Sequence, residues 1–307
     1  MHILISNIQF HNFQTIIDNH SHNHRFHDMA RLRKHQLTLT AVLSLTSSIV
    51  MAHTPYVLPY HFDTNKDIAT IQASATEDFF IPDHGISGDF FVTSPAGVTS
   101  PVSDVTSLKE VTLAQVPLTE NGTYRITLKT KPRTSKFANI DGRWLNVRPD
   151  RGDGKAKKAL SERGYVSPDK LTSDTKVIES TSIRTLETYI TKGRGSDKAL
   201  ATTGKGLEIQ LNSNPSEIFL DQGLEFNVLF DGKPIPNQTI EIDQAGKAPL
   251  ELKSDDQGHV KATFPQAGTY LLEATYPNDP ESHNEKGRQT PPQTTSYSYG
   301  LTFEVSQ

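Results

Sequence analysis

Cysteine is absent from the 307-residue chain. Disulfide bonds, zinc–thiolate centres and cysteine nucleophiles are therefore excluded. Neither sign of charge is in large excess, because 31 Lys and Arg residues stand against 35 Asp and Glu residues. The balance does not favour binding to nucleic acid. With 18 prolines and 19 glycines, long uninterrupted helices are not expected, and a helical bundle is disfavoured.

Residues 29–52 have the pattern of a secretory signal peptide. Three basic residues precede the apolar stretch Leu37–Val50, and Val50 and Ala52 stand at the −3 and −1 positions of a cleavage site. The apolar stretch is too short and too rich in Ser and Thr to span a membrane, which takes about 20 apolar residues. We expect cleavage after Ala52 and a periplasmic protein without a membrane span.

Residues 1–28 precede this signal and contain six histidines. A His-rich tract can bind metal, but a signal peptide normally opens the chain. We therefore interpret residues 1–28 as a mis-assigned start upstream of Met29. All three methionines lie in residues 1–52, so the mature chain contains no sulfur.

Short apolar stretches with period-two alternation recur along the mature chain and are separated by turn signals, which is typical of antiparallel β-sandwiches. The predicted fold class is all-β, with two immunoglobulin-like or transthyretin-like sandwich domains. Their predicted bounds are residues 53–149 and 207–307. A polar, partly irregular segment of residues 150–206 connects them, with a short helix at Lys155–Arg163 and a strand at Thr185–Thr191.

The predicted strands are clearest in the last hundred residues, where Asp231-Gly232 also predicts a hairpin turn. The predicted strands of the first half are Ile68–Ala75, Asp89–Thr93, Lys109–Gln115 and Thr123–Thr130. Those of the second half are Leu207–Leu211, Leu224–Phe230, Thr239–Asp243, Leu250–Lys253, Val260–Phe264, Tyr270–Tyr276 and Tyr297–Val305.

Four segments resemble a periplasmic family associated with nickel uptake, a NikM-like domain of unknown function. GLEIQLNSNPSEIFLDQGLEFNVLFDGKPIPNQTIEI and SDDQGHVKATFPQAGTYLLEATY resemble its C-terminal half. ASATEDFFIPDH and GTYRITLKTKPRTSKFANIDGRW resemble its N-terminal half, as does the secreted Ala52-His53 start. The resemblance covers nearly the whole mature chain. It implies a periplasmic location and metal handling, but no established reaction.

Mature His53 is the most informative single residue of the sequence. After cleavage, its free α-amino group and its imidazole Nδ1 can chelate one metal ion together, because the amine has a pKa near 8. Pro55 stands at the third position, where a square-planar amino-terminal copper or nickel site needs His, and it has no N–H to lose. Any bound metal must therefore recruit side chains from further along the chain.

The candidate metal ligands are His53, His61, His84, Glu77 and Asp78. The last three belong to one short stretch that is rich in oxygen and nitrogen donors, although a solvated turn has the same composition. Because sulfur ligands are absent, the donors favour Ni(II), Cu(II), Zn(II) or Co(II) over Cu(I).

We therefore expect a periplasmic binding or accessory protein for a divalent transition metal, of the nickel or copper class, linked to metal uptake or homeostasis. Its expected partners are an outer-membrane receptor or a metal permease component. No catalytic motif is found, so an enzyme is not expected. The alternatives are a structural or adhesive β-sandwich that binds a protein or glycan, and a histidine-brace copper oxidase with Tyr56 or Tyr60 as an axial ligand.

The first prediction concerns the mature amino terminus. Intact mass spectrometry of the protein from the periplasm should give the mass of residues 53–307, because the signal peptide is removed after Ala52. A mass that includes residues before 53 would remove the chelating amine of His53 from the hypothesis.

Overall fold

The computed structural model describes residues 54–150, 162–281, 284 and 286–307. The predicted leader, His53 and most of the predicted helix Lys155–Arg163 lie outside the described residues. The described chain forms 21 strands. In chain order, β1 to β21, they are Thr54–Pro59, Asp63–Thr64, Ile68–Thr76, His84–Gly85, Gly88–Thr93, Thr99–Pro101, Asp104–Ser107, Thr112–Pro117, Gly122–Thr130, Arg133–Ile140, Arg143–Val147, Tyr165–Val166, Val177–Lys192, Leu207–Leu211, Leu224–Phe230, Lys233–Pro234, Thr239–Asp243, Leu250–Lys253, His259–Ala262, Gly268–Tyr276 and Thr295–Val305.

The strands form a large sheet of 12 strands and two smaller sheets. The first sheet contains β1, β3, β4, β7 and β8, and the third sheet contains β14, β15, β16 and β19. Within the described residues, helical turns are limited to short 3₁₀ segments, and no helix is long and apolar enough to span a membrane. The protein is thus all-β with a sandwich-like arrangement, as the sequence predicts.

Strand β13 is the central element of the large sheet. Along one edge it pairs antiparallel with β10 and then with β9. Along the other edge it pairs parallel with β21 over eight residues and with β2 at its end. Strands from both halves of the chain are therefore hydrogen-bonded to the same 16-residue strand.

The two faces of β13 contribute to different cores. Leu186 and Ile190 pack in the core formed with the first sheet, which includes Ile71. Tyr189 belongs to the core formed with the third sheet, which includes Phe226. Because successive side chains of a strand point to opposite faces, one strand serves both cores.

Most of the predicted strands are confirmed, and several in the second half agree residue for residue. The Asp231-Gly232 hairpin is also confirmed, since Phe230 pairs with Lys233 and both turn residues have positive φ, at 50° and 72°. A two-residue turn with two positive φ values is the type I′ turn that matches strand twist. The segment Lys109–Gln115 is corrected to β8, which begins at Thr112.

The predicted strand Thr185–Thr191 is confirmed as part of the longer β13. Several further strands were missed, and the longest of them are β1, β10 and β11. The sequence of β10, RTSKFANI, is mostly polar and has a single buried residue, so it lacks the apolar alternation that predicts a strand. The domain bounds at 149/150 and 206/207 stay a prediction. The structure adds that the segment between them carries the strand shared by both cores.

The second prediction tests whether β13 is part of the core. Ile190 is fully buried, so Ile190→Ala should lower the free energy of unfolding by about 2–5 kcal/mol through lost burial and a cavity. Lys170→Ala, at an exposed position in the same predicted connector, is the matched control and should change it by about 0.5 kcal/mol or less. Urea unfolding measures both, and an unchanged midpoint for Ile190→Ala would contradict the assignment.

Candidate functional site

The amino-terminal strand β1 brings the start of the described chain to one end of the first sheet. Thr54 pairs with Thr76, the last residue of β3, and Glu77 and Asp78 follow it directly. Ala75 pairs with Pro55 on one side and with His84 of β4 on the other. Paired residues of neighbouring strands project to the same face, so Pro55 and His84 flank Ala75 on one face, about 10 Å apart across two strand spacings.

Buried Ser74 holds the loop of residues 77–83 in place. Its hydroxyl donates to the Glu110 carbonyl at 2.7 Å and lies 3.0 Å from the His84 carbonyl. It also accepts from the Asp83 backbone N–H at 3.1 Å. A fully buried hydroxyl with this many partners fixes the backbone on which His84 stands.

Two further side chains fasten the same loop. Thr76 Oγ1 donates to the Ile81 carbonyl at 2.6 Å and contacts the Asp78 carbonyl. The Tyr56 hydroxyl donates to the Phe80 carbonyl at 3.2 Å, and the two rings meet edge to face at 5.0 Å. Burial raises the pKa of Tyr56 to about 12, so its hydroxyl stays protonated as a donor. The loop is therefore anchored from β1 as well as from β3.

The predicted ligands of this loop have exposed side chains. Glu77, Asp78 and His84 are all exposed, and His84 Nδ1 lies 2.9 Å from Asp83 Oδ2. In the part of the chain that the structure describes, no group of three or more His, Asp and Glu side chains is arranged to hold a metal ion. His53, the remaining candidate ligand of this end of the sheet, lies outside that part.

His61 is not brought to this end of the sheet. Strand β1 separates it from Thr54, and at about 3.3 Å per residue the two residues are roughly 20 Å apart. The Lys66 ammonium lies 3.3 Å from His61 Nε2. Because an ammonium can only donate, this nitrogen is the acceptor and its lone pair is engaged.

A row of carboxylates lies on the large sheet beside β1. The backbone carbonyl of Pro55 is 3.7 Å from the position that a Cβ on Gly300 would take. Gly300 pairs with Glu273 of β20, which in turn pairs with Glu241 of β17. Burial raises the pKa of Glu273 to about 7, with contributions from Asp243 and Glu241 and an opposing one from Arg184.

A second polar site, which the sequence analysis did not predict, lies on the opposite face of β13. Arg125 of β9 pairs with Tyr189 of β13, and Glu187 lies two residues before Tyr189. Glu187 accepts from Thr127 Oγ1 at 2.6 Å and from the Tyr299 hydroxyl. Its Oε1 is 3.8 Å from Arg125 Nε. These groups border a cavity of about 170 Å³.

The segment before β14 closes one side of this cavity. Glu208 is only 8% exposed. It accepts from the Thr203 N–H at 2.7 Å, the Thr203 hydroxyl at 2.9 Å and the Gly204 N–H at 2.8 Å. Both of its oxygens are thereby engaged in holding the loop.

The sequence did contain a signal for this second site. In β9, Arg125, Thr127 and Lys129 alternate with the buried Ile126 and Leu128. Such an alternation is typical of a strand with one buried and one solvated face. A polar face that is itself covered by another sheet shows the same pattern, so the pattern alone does not separate the two cases.

The fold defines an all-β, sandwich-like protein in which β1 lies at the end of the first sheet where His84 also pairs with β3. The chain belongs to the family described as Domain of unknown function (DUF4198), whose model matches residues 50–278. No curated protein matched the chain.

The third prediction follows from the raised pKa of Glu273. In the unfolded chain its pKa is near 4.5, so between about pH 4.5 and 7 the folded state keeps a proton that the unfolded state has lost. The free energy of unfolding should therefore fall as pH rises through this range. Glu273→Gln removes this contribution, and should flatten the fall and stabilise the protein relative to wild type at pH 8.

The matched control is Glu251→Gln, which removes the same charge from an exposed position in the same row. It should leave the pH dependence nearly unchanged. Urea unfolding at several pH values between 4.5 and 8 compares the three proteins. If the free energy of unfolding changes with pH in the same way in wild type and in Glu273→Gln, the raised pKa of Glu273 is contradicted.

Proposed function

We propose that this protein is a periplasmic accessory protein that binds a divalent transition metal, of the nickel or copper class, through its mature amino terminus. The proposed ligands are the amine and imidazole of His53 together with His84, Glu77 and Asp78. His61 is dropped from the proposed set because β1 separates it from the others.

The observation that carries the proposal is the register at Ala75. This residue pairs with Pro55 and with His84, and His53 is joined to Pro55 through a single residue. Pro55, two residues after the proposed chelating amino terminus, and His84, with its exposed imidazole, therefore flank the same residue of β3. Histidine and carboxylates gathered in this way suit a borderline divalent ion.

The anchored loop favours binding over a chance surface cluster. Ser74, Thr76 and Tyr56 hold the backbone between Glu77 and His84 through buried or half-buried hydrogen bonds. Ligands on a fixed backbone lose less entropy when they bind. The amine and imidazole of His53 belong to one residue, so chelation by both requires no further folding of the chain.

The carboxylates of the large sheet add to the electrostatic case. Glu273 and Asp243 have raised pKa values, of about 7 and about 6, because burial and neighbouring acids disfavour their charge. A cation near the start of β1 would relieve this repulsion.

A protein that buffers or delivers metal ions needs to bind them and does not need to catalyse a reaction. The proposed partners are an outer-membrane receptor or a metal permease component, either of which would receive the ion. With amine, imidazole and carboxylate donors and no sulfur in the mature chain, Ni(II), Cu(II), Zn(II) and Co(II) are the candidate ions.

The fourth prediction concerns metal affinity. In calorimetric titrations with Ni(II) and Cu(II), the protein that begins at His53 should bind one ion, and His53→Ala should weaken binding by about tenfold or more. A form extended by one amino-terminal Gly should be weakened similarly, because it loses the six-membered chelate ring that the metal forms with the α-amine and Nδ1 of His53. Affinity should fall from pH 8 to pH 6, since protons compete for the amine and imidazole.

Two histidine variants give this experiment its structural control. His84→Ala should weaken binding, whereas His61→Ala, at the other end of β1, should leave the affinity unchanged. Equal affinity in wild type, His53→Ala and the Gly-extended form would overturn the site. It would leave the structural or adhesive β-sandwich as the better proposal, while copper-dependent turnover with peroxide would favour the histidine-brace oxidase.

A further inference from the structure

The cavity between the large sheet and the third sheet has features of a built binding site. Arg125, on its wall, is 6% exposed. Its Nη1 donates to the Ala201 carbonyl at 2.9 Å, but its Nε has no hydrogen-bond partner among the described residues. A buried polar atom without a partner is costly in a folded protein and calls for an explanation.

Glu187 does not supply the missing bond. Its Oε1 lies 3.8 Å from Arg125 Nε, beyond hydrogen-bond distance. Its two oxygens already accept from Thr127 and Tyr299. Burial raises the pKa of Tyr299 well above its ordinary value, so this hydroxyl remains a donor. The carboxylate therefore balances the guanidinium charge without occupying its Nε.

The charges around the cavity sum to a positive value. Arg125, Lys129 and Lys205 line it together with two carboxylates, Glu187 and Glu208. Both carboxylates are engaged by donors that belong to the protein. The two lysine side chains are exposed at the rim, and no ion pair within the described residues involves either of them. An anion that enters between them meets one more positive than negative charge.

The size and lining of the cavity restrict the ligand. Its volume of about 170 Å³ is comparable to that of a cavity of about 150 Å³ that holds one benzene-sized molecule. A nucleotide or a peptide is too large. Phe91 and Leu207 give the cavity an apolar side, which suits a ligand with a hydrocarbon body rather than a bare inorganic ion.

We propose that this cavity binds a small organic carboxylate of about two to four carbons. The carboxylate would bond to the guanidinium of Arg125, with Lys129 and Lys205 at the rim and the hydrocarbon body against Phe91 and Leu207. A guanidinium pairs with a carboxylate through directed hydrogen bonds. The site lies on the opposite face of β13 from the first-sheet core and does not depend on His53.

The fifth prediction is tested by calorimetric titration of the mature chain with acetate, lactate and succinate, with inorganic phosphate and glycerol as the contrasting probes. At least one carboxylate should give saturable binding that weakens with added salt, and phosphate and glycerol should bind more weakly. Lys129→Ala and Lys205→Ala should each raise Kd about threefold, as for exposed charge pairs. Arg125→Lys should raise Kd about tenfold or more, because an ammonium lacks the paired, directed N–H donors of a guanidinium.

Lys261→Ala is the matched control, since this exposed lysine pairs with Glu225 on the third sheet and does not line the cavity. It should leave Kd unchanged. If Arg125→Lys fails to fold, as judged by its unfolding transition, the two rim variants decide. The proposal is overturned if no carboxylate binds saturably, or if phosphate or glycerol binds with the same affinity as the carboxylates. It is also overturned if Lys261→Ala weakens binding as much as the rim variants.

Discussion

The long strand β13 is the constraint on which the rest of the structure depends. It carries hydrogen-bond ladders to strands from both halves of the chain. Its alternate side chains enter two different cores, as Ile190 and Tyr189 show. A shift of its register by one residue would exchange the two faces and misplace every side chain in both cores. The position of the two smaller sheets therefore follows from this single strand.

The amino-terminal site depends on β13 through the close approach of β1 to the large sheet. A Cβ on Gly300 would lie 2.8 Å from Leu186 Cδ2 and 3.7 Å from the Pro55 carbonyl. Glycine thus leaves room for β21 to pack closely on β13 beneath β1. The same packing sets the start of β1 beside Glu273 and, through β3, beside His84. Pro55 and His84, which are far apart in sequence, lie on either side of Ala75 because β1 and β4 pair with opposite edges of β3.

The Arg125–Glu187 pair lies on the face of β13 that is turned towards the third sheet. Charges buried between sheets are expensive unless they are paired and hydrogen-bonded. Glu187 is well satisfied, yet Arg125 Nε has no hydrogen-bond partner among the described residues. Apolar residues of similar size would fill this space at lower cost. The polar groups are therefore better explained by a ligand than by stability.

The all-β class and most second-half strands could be predicted, because short-range alternation and turn chemistry act locally. The Asp231-Gly232 hairpin is the clearest case, since both residues tolerate positive φ. Strand β1 was missed because its residues TPYVLP are buried at three successive positions and show no alternation. Glu77, Asp78 and His84 could be proposed from their residue types.

Pairing between distant strands, which local patterns do not encode, decided which of those residues meet. His61 and His84 looked equivalent in the sequence, but the register of β1 and β3 separates them. Arg125 and Glu187 are 62 positions apart, and no local pattern indicates that they meet. Local propensity determines where each strand forms along the chain. The burial of both faces of β13 selects which strands become neighbours, because only that arrangement removes both apolar faces from water.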